Sequence, residues 1–222
     1  MDGTGRLFAP FVLMLPDWLT PLVVAYPSDP LLDLPALLDV VLAALPDDRQ
    51  FVLLGESFSG PLAVMAAARN PKGLLGVILC ASFIKFPLAL PLFLRRVISH
   101  PVMGIFRGSR LVLQQLLGNE ASAELHNLLA TTLTAVQPRL LSARARLLIK
   151  LDCTDELLAC PVPILAIHAT QDRLVPSRNI AMISAVRPDC TIAEIAGPHL
   201  ILQRQPHKAA EVVSRFVLTL PG

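Results

Sequence analysis

Residues 51–60 constrain the fold of this chain more than any other stretch. They are an apolar run, FVLLG, that ends at a turn of small residues around one serine, Ser57. An alanine-rich segment with helical spacing follows and stops at Asn70 and Pro71. A buried strand, a sharp turn and a helix are therefore predicted, and such a turn can hold a serine hydroxyl in a strained, exposed position. A turn in which the serine only caps the helix fits the same pattern.

The small residues around Ser57 depart in one place from the pattern Gly-x-Ser-x-Gly. Gly55 stands two residues before the serine, whereas Ser59 stands two residues after it and the glycine is displaced to Gly60. Small residues are needed here because the strand and the helix approach each other closely. The motif by itself supports the capping role and the chemical role of Ser57 equally.

Two further polar residues follow predicted strands near the end of the chain. Asp172 comes just after the apolar run at residues 161–169, and His199 lies in the loop after the strand predicted at residues 190–195. The carboxyl ends of parallel strands meet at one edge of a sheet, so Ser57, Asp172 and His199 are predicted to converge there. The alternatives are a turn aspartate and a loop histidine with structural roles.

Few other carboxylates and histidines are suitably placed to act as the acid and the base. Asp172 is the only carboxylate between Glu156 and Asp189. The remaining histidines lie in the middle of the chain, inside a predicted strand or at the start of the last helix, and are His100, His126, His168 and His207.

The order of predicted elements indicates a single α/β domain over residues 1–222, with a mostly parallel sheet and helices on both faces. A helical insertion without strands is predicted over residues 82–158, as a cap over the site. Its apolar start, with Phe83 and Phe86, is expected to line a pocket for an apolar group. The alternative is that this stripe packs on the sheet or against a second copy in a homodimer. Strands are predicted at residues 21–26, 51–54, 74–80, 162–169 and 190–195, and helices at 34–45, 61–69 and 209–220.

Composition excludes several classes of protein. Of the 222 residues 54% are hydrophobic and 16% are charged, but no apolar run reaches the about 18 residues that a membrane helix needs. The formal net charge of +2 gives no basic surface for nucleic acid. No secretory leader is recognised in the first residues, and the four cysteines lack metal-binding spacing, so free thiols, a cytoplasmic location and no metal or cofactor are expected.

The chain resembles bacterial serine α/β-hydrolases of the esterase and lipase type. The resemblance runs from the segment at residues 2–8, through GESFSG at 55–60 and DRLVP at 172–176, to GPHL at 197–200. The order serine, acid, histidine is also that of these enzymes. The resemblance implies a carboxylic-ester hydrolase acting on small-molecule esters with short to medium apolar acyl chains, in which Ser57 is the nucleophile, His199 the base and Asp172 its partner.

Two other functions remain open at this point. Thioesterases and acyltransferases use the same three residues. A non-catalytic or impaired protein that binds an apolar ligand is the second alternative, and it is suggested by the oxyanion site. The resemblance implies that the amide of Phe58 and that of the residue ahead of Asp2 hold the oxyanion. That second residue is Met1, which has an amine in place of an amide.

The position of Met1 also bears on the sheet. In the relatives a strand and a Leu-Pro-Gly-like turn come before the segment at residues 2–5, and that strand lies between the one predicted at residues 21–26 and the one ending at Gly55. We therefore expect the natural protein to begin upstream of Met1, the alternative being a natural short form with a re-paired sheet. Absence of an in-frame coding sequence upstream would contradict this expectation.

Overall fold

The computed structural model describes residues 1–87 and 108–221. Within these residues four parallel strands form one sheet in the order β1-β2-β3-β4, and the predicted α/β fold is confirmed. All the strands run in the same direction, so their carboxyl ends lie at one edge of the sheet. The strands are β1 (Phe51–Glu56), β2 (Leu74–Cys80), β3 (Ile164–Ala169) and β4 (Thr191–Ile195).

Helices cover both faces of this sheet. Alternate side chains of β2 point to opposite sides, so Ile78 packs in one apolar cluster and Val77 in another. The described helices are α1 (Ala9–Val12, after a 3-10 turn at Arg6–Phe8), α2 (Leu34–Ala43), α3 (Ser59–Ala67), α4 (Arg110–Leu117), α5 (Ala123–Ala135), α6 (Pro138–Ile149), α7 (Thr154–Ala159), α8 (Arg178–Val186), α9 (Ile201–Arg204) and α10 (Pro206–Val217). The first cluster joins β2 and β3 to α1, α9 and α10, and the second joins them to α3, α7 and α8.

The strand predicted at residues 21–26 is wrong. This segment pairs with no strand of the sheet, and Leu22 is 66% exposed. Its one backbone hydrogen bond to another segment within the described chain runs from the amide of Tyr26 to the carbonyl of Gly3, over 2.8 Å. The segment and β1 both line an apolar cavity of about 770 Å³, which has Val23 and Leu53 in its walls. An apolar run becomes a strand only where another strand lies beside it, and here the cavity takes that place.

Residues 108–160 form a helical insertion between β2 and β3, made of α4 to α7. Among the described residues of the predicted insertion the only β-type contact is an isolated bridge between Lys85 and Asp152, whose side chains also form an ion pair at 3.0 Å. The insertion reaches the loop of the predicted histidine, since the amide of Leu200 donates to the carbonyl of Leu116 over 2.9 Å. Its function as a cap stays a prediction, and residues 88–107 lie outside the described chain.

Candidate active site

Ser57 occupies a sharp turn between β1 and α3. Its φ of 52° is in the left-handed region, which is costly for a residue with a side chain. Two contacts hold this conformation: the amide of Ser57 donates to the carbonyl of Cys80 over 2.9 Å, and the hydroxyl of Ser82 donates to the carbonyl of Ser57 over 2.9 Å. The turn is therefore fixed from the neighbouring strand β2.

The displaced glycine of the motif has a steric reason. A Cβ atom on Gly60 would lie 1.8 Å from Oγ of Ser82, and one on Gly55 would lie 2.6 Å from Cα of Gly60. Both positions therefore exclude side chains, and it is Gly60 that lies against Ser82. The side chain of Ser59 lies beside the hydroxyl of Tyr26; burial raises the pKa of that hydroxyl, whereas Ser59 lowers it.

The predicted acid and histidine lie beside Ser57. Nε2 of His199 is 2.8 Å from Oγ of Ser57, and Nδ1 of His199 is 2.7 Å from Oδ2 of Asp172. The second carboxylate oxygen, Oδ1, accepts hydrogen bonds from the amides of Leu174 and Val175 at 2.8 and 2.9 Å. Both carboxylate oxygens are thus engaged, and the side chain of Asp172 has one orientation that satisfies all these donors.

The acid and the histidine are more deeply buried than the serine. The side chains of His199 and Asp172 are 5% and 0% exposed, whereas Ser57 is half-buried. The structure thus brings the three predicted residues into one hydrogen-bonded series with the serine at its open end. Such an arrangement can transfer the serine proton to the imidazole while the carboxylate orients the ring.

Of the two residues predicted to hold an oxyanion, one adjoins Ser57 in sequence and the other packs nearby through its side chain. Phe58 follows Ser57 directly and caps the start of α3, where backbone amides lack helical partners and the helix dipole is positive. The side chain of Met1 packs against the cluster that contains Phe58. Burial lowers the pKa of the Met1 amino group, and Asp2 opposes that shift. Donation to an oxyanion by either residue stays a prediction.

Arg144 of α6 holds the Met1 segment in place. The residue is 2% exposed, and its guanidinium donates to the carbonyls of Met1 and Pro27 at 2.6 and 2.9 Å. It also lies over the ring of Tyr26, with 5.7 Å between Cζ and the ring centroid. Tyr26 in turn packs edge to face on Phe58, with centroids 6.3 Å apart. The helical insertion is thereby connected to the residue next to Ser57.

The two phenylalanines predicted to line an apolar pocket lie in the same part of the molecule. Phe83 is 2% exposed and belongs to the cluster of Phe58, and Phe86 is partly buried against that cluster. Phe83 therefore offers little free surface, and its pocket role, like that of Phe86, stays a prediction.

Metal ligands do not cluster in the part of the chain that the structure describes. Cys80, at the carboxyl end of β2, is a fully buried free thiol. Burial raises its pKa well above the usual value, with Glu56 and Asp172 adding to the shift. A thiol in this state is a poor nucleophile. Among the described helices none is long and apolar enough to cross a bilayer.

Sequence patterns missed several side chains that surround the series. Ser82, Tyr26 and Arg144 are distant from Ser57 in sequence, and no local pattern signals their contacts. Glu56, by contrast, lies within the motif, and a carboxylate next to a buried strand end is a usable signal. It is 8% exposed and bonds to Gln203.

Comparison with known proteins identifies the class of this chain. Residues 4–212 match the alpha/beta hydrolase family, and the chain belongs to that family. Among proteins with curated descriptions, none matches the chain significantly.

Solved structures of the same fold include esterases and other hydrolases. A hydrolase from Oleispira antarctica is 14% identical with a TM-score of 0.82, covering 99% of this chain and 88% of its own. An esterase from Exiguobacterium antarcticum is 14% identical with a TM-score of 0.81, covering 98% and 88%. An enol-lactonase from Burkholderia xenovorans LB400 is 16% identical with a TM-score of 0.77, with the same coverage. At these identities the likeness shows the fold alone.

Proposed function

We propose that this α/β hydrolase is a serine carboxylesterase that cleaves esters with short to medium apolar acyl chains. The observation that carries the proposal is the hydrogen-bonded series Ser57, His199 and Asp172, with distances of 2.8 and 2.7 Å, at a strained turn. The esterases of the same fold add support, as does the apolar surrounding of the turn.

The reaction proceeds in two steps. Oγ of Ser57 attacks the ester carbonyl carbon while Nε2 of His199 takes the hydroxyl proton, and the carbonyl electron pair moves to oxygen. The imidazolium, stabilised by Asp172, returns that proton to the leaving alcohol when the acyl-enzyme forms. Water then attacks the acyl carbon with the same base, and the released serine regains its proton. The amide of Phe58 donates to the oxyanion in both steps.

The leaving group is the less constrained part of the proposal. The same atoms cleave thioesters and lactones, and one protein of this fold is described as an enol-lactonase. Assays should therefore include a thioester and a lactone alongside the simple esters.

Hydrolysis of p-nitrophenyl acetate, butyrate and octanoate tests the proposal. The wild-type chain should cleave the shorter esters, and Ser57→Ala should reduce kcat to background, a loss of about 10⁴-fold or more. Ser177→Ala is the matched control, because Ser177 is exposed and its side chain makes no capping bond. A fluorophosphonate probe should label the wild type and the control but not Ser57→Ala.

The alternative of an impaired or purely binding protein gives a different result. Equal background rates in the wild type and Ser57→Ala, with no labelling by the probe, would contradict the esterase proposal. Labelling without turnover would show that Ser57 is activated but that these esters are not its substrates.

A further inference from the structure

Glu56 immediately precedes Ser57 and takes no part in the reaction described above. Its side chain faces Gln203 of α9, the short helix that follows His199, and both residues are buried. Nε2 of Gln203 donates to Oε2 of Glu56 over 3.0 Å. This bond joins the segment of the proposed nucleophile to that of the proposed base, 147 residues apart.

The two remaining oxygens of this contact are less well satisfied. Oε1 of Glu56 and Oε1 of Gln203 are both buried, and neither makes a hydrogen bond of good geometry to another atom of the described residues. A carboxylate oxygen and an amide oxygen can only accept, and burying both unpaired is unfavourable. A planar carboxylic acid can make two parallel hydrogen bonds to a planar amide, so a proton on Oε1 of Glu56 would give both oxygens a partner.

We propose that Glu56 and Gln203 are a positioning pair for the esterase reaction, complete only while Glu56 is protonated and donates through Oε1 to Oε1 of Gln203. The proposal rests on the proposed function for its catalytic consequence, but the shared proton is a property of the folded chain. The pair acts through the loop of His199 and does not touch the substrate.

The surrounding groups agree with a carboxyl that is neutral at moderate pH. Burial raises the pKa of Glu56 from 4.5 to about 7. The hydrogen bond from Gln203, the nearby His199 and Met1 amino group, and the backbone amide of Leu202 oppose this shift. The charge of this carboxyl also raises the pKa of the buried thiol of Cys80, on β2. Above neutral pH a carboxylate oxygen therefore faces an amide oxygen, and the contact between the two segments weakens.

The first test is the pH profile of kcat/KM for p-nitrophenyl butyrate, scaled to each protein's own maximum. The wild type should lose activity on the alkaline side near the ionisation of Glu56. Glu56→Gln should lack this alkaline decline, because an amide facing an amide makes both hydrogen bonds at every pH. Glu194→Gln, on an exposed position of β4, is the control and should keep the decline. The same decline in wild type and Glu56→Gln would overturn the positioning role.

The second test does not need activity. The infrared spectrum of the wild type at about pH 6 should contain the carbonyl stretch of a buried protonated carboxylic acid. The band should disappear in Glu56→Gln, persist in Glu194→Gln, and fade in the wild type as the pH rises. If the wild type lacks the band, the shared proton does not exist. A chain without esterase activity contradicts the proposed function, and this measurement still decides whether the pair holds its proton.

A third variant separates positioning from folding. Gln203→Met keeps the volume of the side chain and removes both polar atoms of the amide. It should lower kcat about tenfold and leave KM within about twofold, since the loss is in the alignment of His199 with Ser57 and not in substrate binding. An unchanged kcat in a folded Gln203→Met protein would contradict the proposal.

Discussion

Strained backbone marks the region around Ser57 at the scale of single residues. Within the described chain three residues other than glycine have positive φ, and two of them, Ser57 at 52° and Ala81 at 44°, lie just beyond the ends of neighbouring strands. The amide of Ala81 donates to the carbonyl of Ile167 on β3 over 2.9 Å. Hydrogen bonds from the adjacent strands therefore maintain both conformations, which places the strain where the proposed chemistry occurs.

Asp172 provides the residue-scale prediction. Asp172→Asn should retain the bonds from the amides of Leu174 and Val175 but lose its role as acceptor for Nδ1 of His199, which leaves the wrong tautomer facing Ser57. We expect kcat for p-nitrophenyl butyrate to fall by about 10²- to 10⁴-fold with little change in KM. The control is Asp47→Asn, at an exposed loop position. A fall of less than about threefold would show that the carboxylate does not orient the base.

At the scale of elements, the connection between the helical insertion and the rest of the domain depends on Arg144. This residue of α6 binds the carbonyls of Met1 and Pro27, and its guanidinium fills the space beside Gly3, where a Cβ would lie 2.3 Å from Nη1. The φ of Gly3, 81°, is a second reason for glycine at this position. One side chain thus fixes two backbone segments against the insertion.

Replacing Arg144 should therefore destabilise the protein. In Arg144→Met the two carbonyls lose buried donors, and we expect the free energy of unfolding to fall by about 2 kcal/mol or more. Urea unfolding followed by circular dichroism measures this loss. Arg139→Met, an exposed change on the same helix, is the control and should alter stability by less than about 0.5 kcal/mol. Equal unfolding midpoints for the two variants would refute the role assigned to Arg144.

The elements also indicate which parts of the structure the sequence could predict. The prediction for β2 matches its observed bounds because its apolar run is bordered by a glycine turn and by the strained Ala81. The positions of Asp172 and His199 followed from strand ends, which are local features. The strand prediction for residues 21–26 was wrong because an apolar run forms a strand only where another strand lies beside it, and the sequence of the run does not report that neighbour. Contacts such as Arg144 with Met1 join residues 143 positions apart, and no periodic pattern reports them.

At the scale of the whole molecule, three features lie in the same region: the carboxyl edge of the sheet, the helical insertion and the carboxyl group of Glu56. Among the described residues, most acidic groups with shifted pKa values are exposed and paired with cations, as in Asp189, whose bond to Arg187 lowers its pKa to about 2. Glu56 differs because burial raises its pKa. Its effect on stability therefore has the opposite dependence on pH.

The direction of that effect follows from proton binding. Between the unfolded pKa of 4.5 and the folded pKa of about 7, the folded chain holds the Glu56 proton more strongly than the unfolded chain does. The stability that this proton contributes is fully present below about pH 4.5 and is lost as the pH rises through about 7. Over that range the loss is on the order of 3 kcal/mol.

Urea unfolding of the wild type and Glu56→Gln at several pH values between about 5 and 8 measures this linkage. Groups such as Asp189 titrate alike in both proteins, so the difference between the two free energies isolates Glu56. We expect Glu56→Gln to gain stability relative to the wild type as the pH rises, because its amide keeps both bonds to Gln203 without a proton. Glu194→Gln should follow the wild type at every pH. If the wild type and Glu56→Gln give parallel curves, Glu56 has the same proton affinity in the folded and unfolded chains, and its burial against Gln203 does not couple stability to pH.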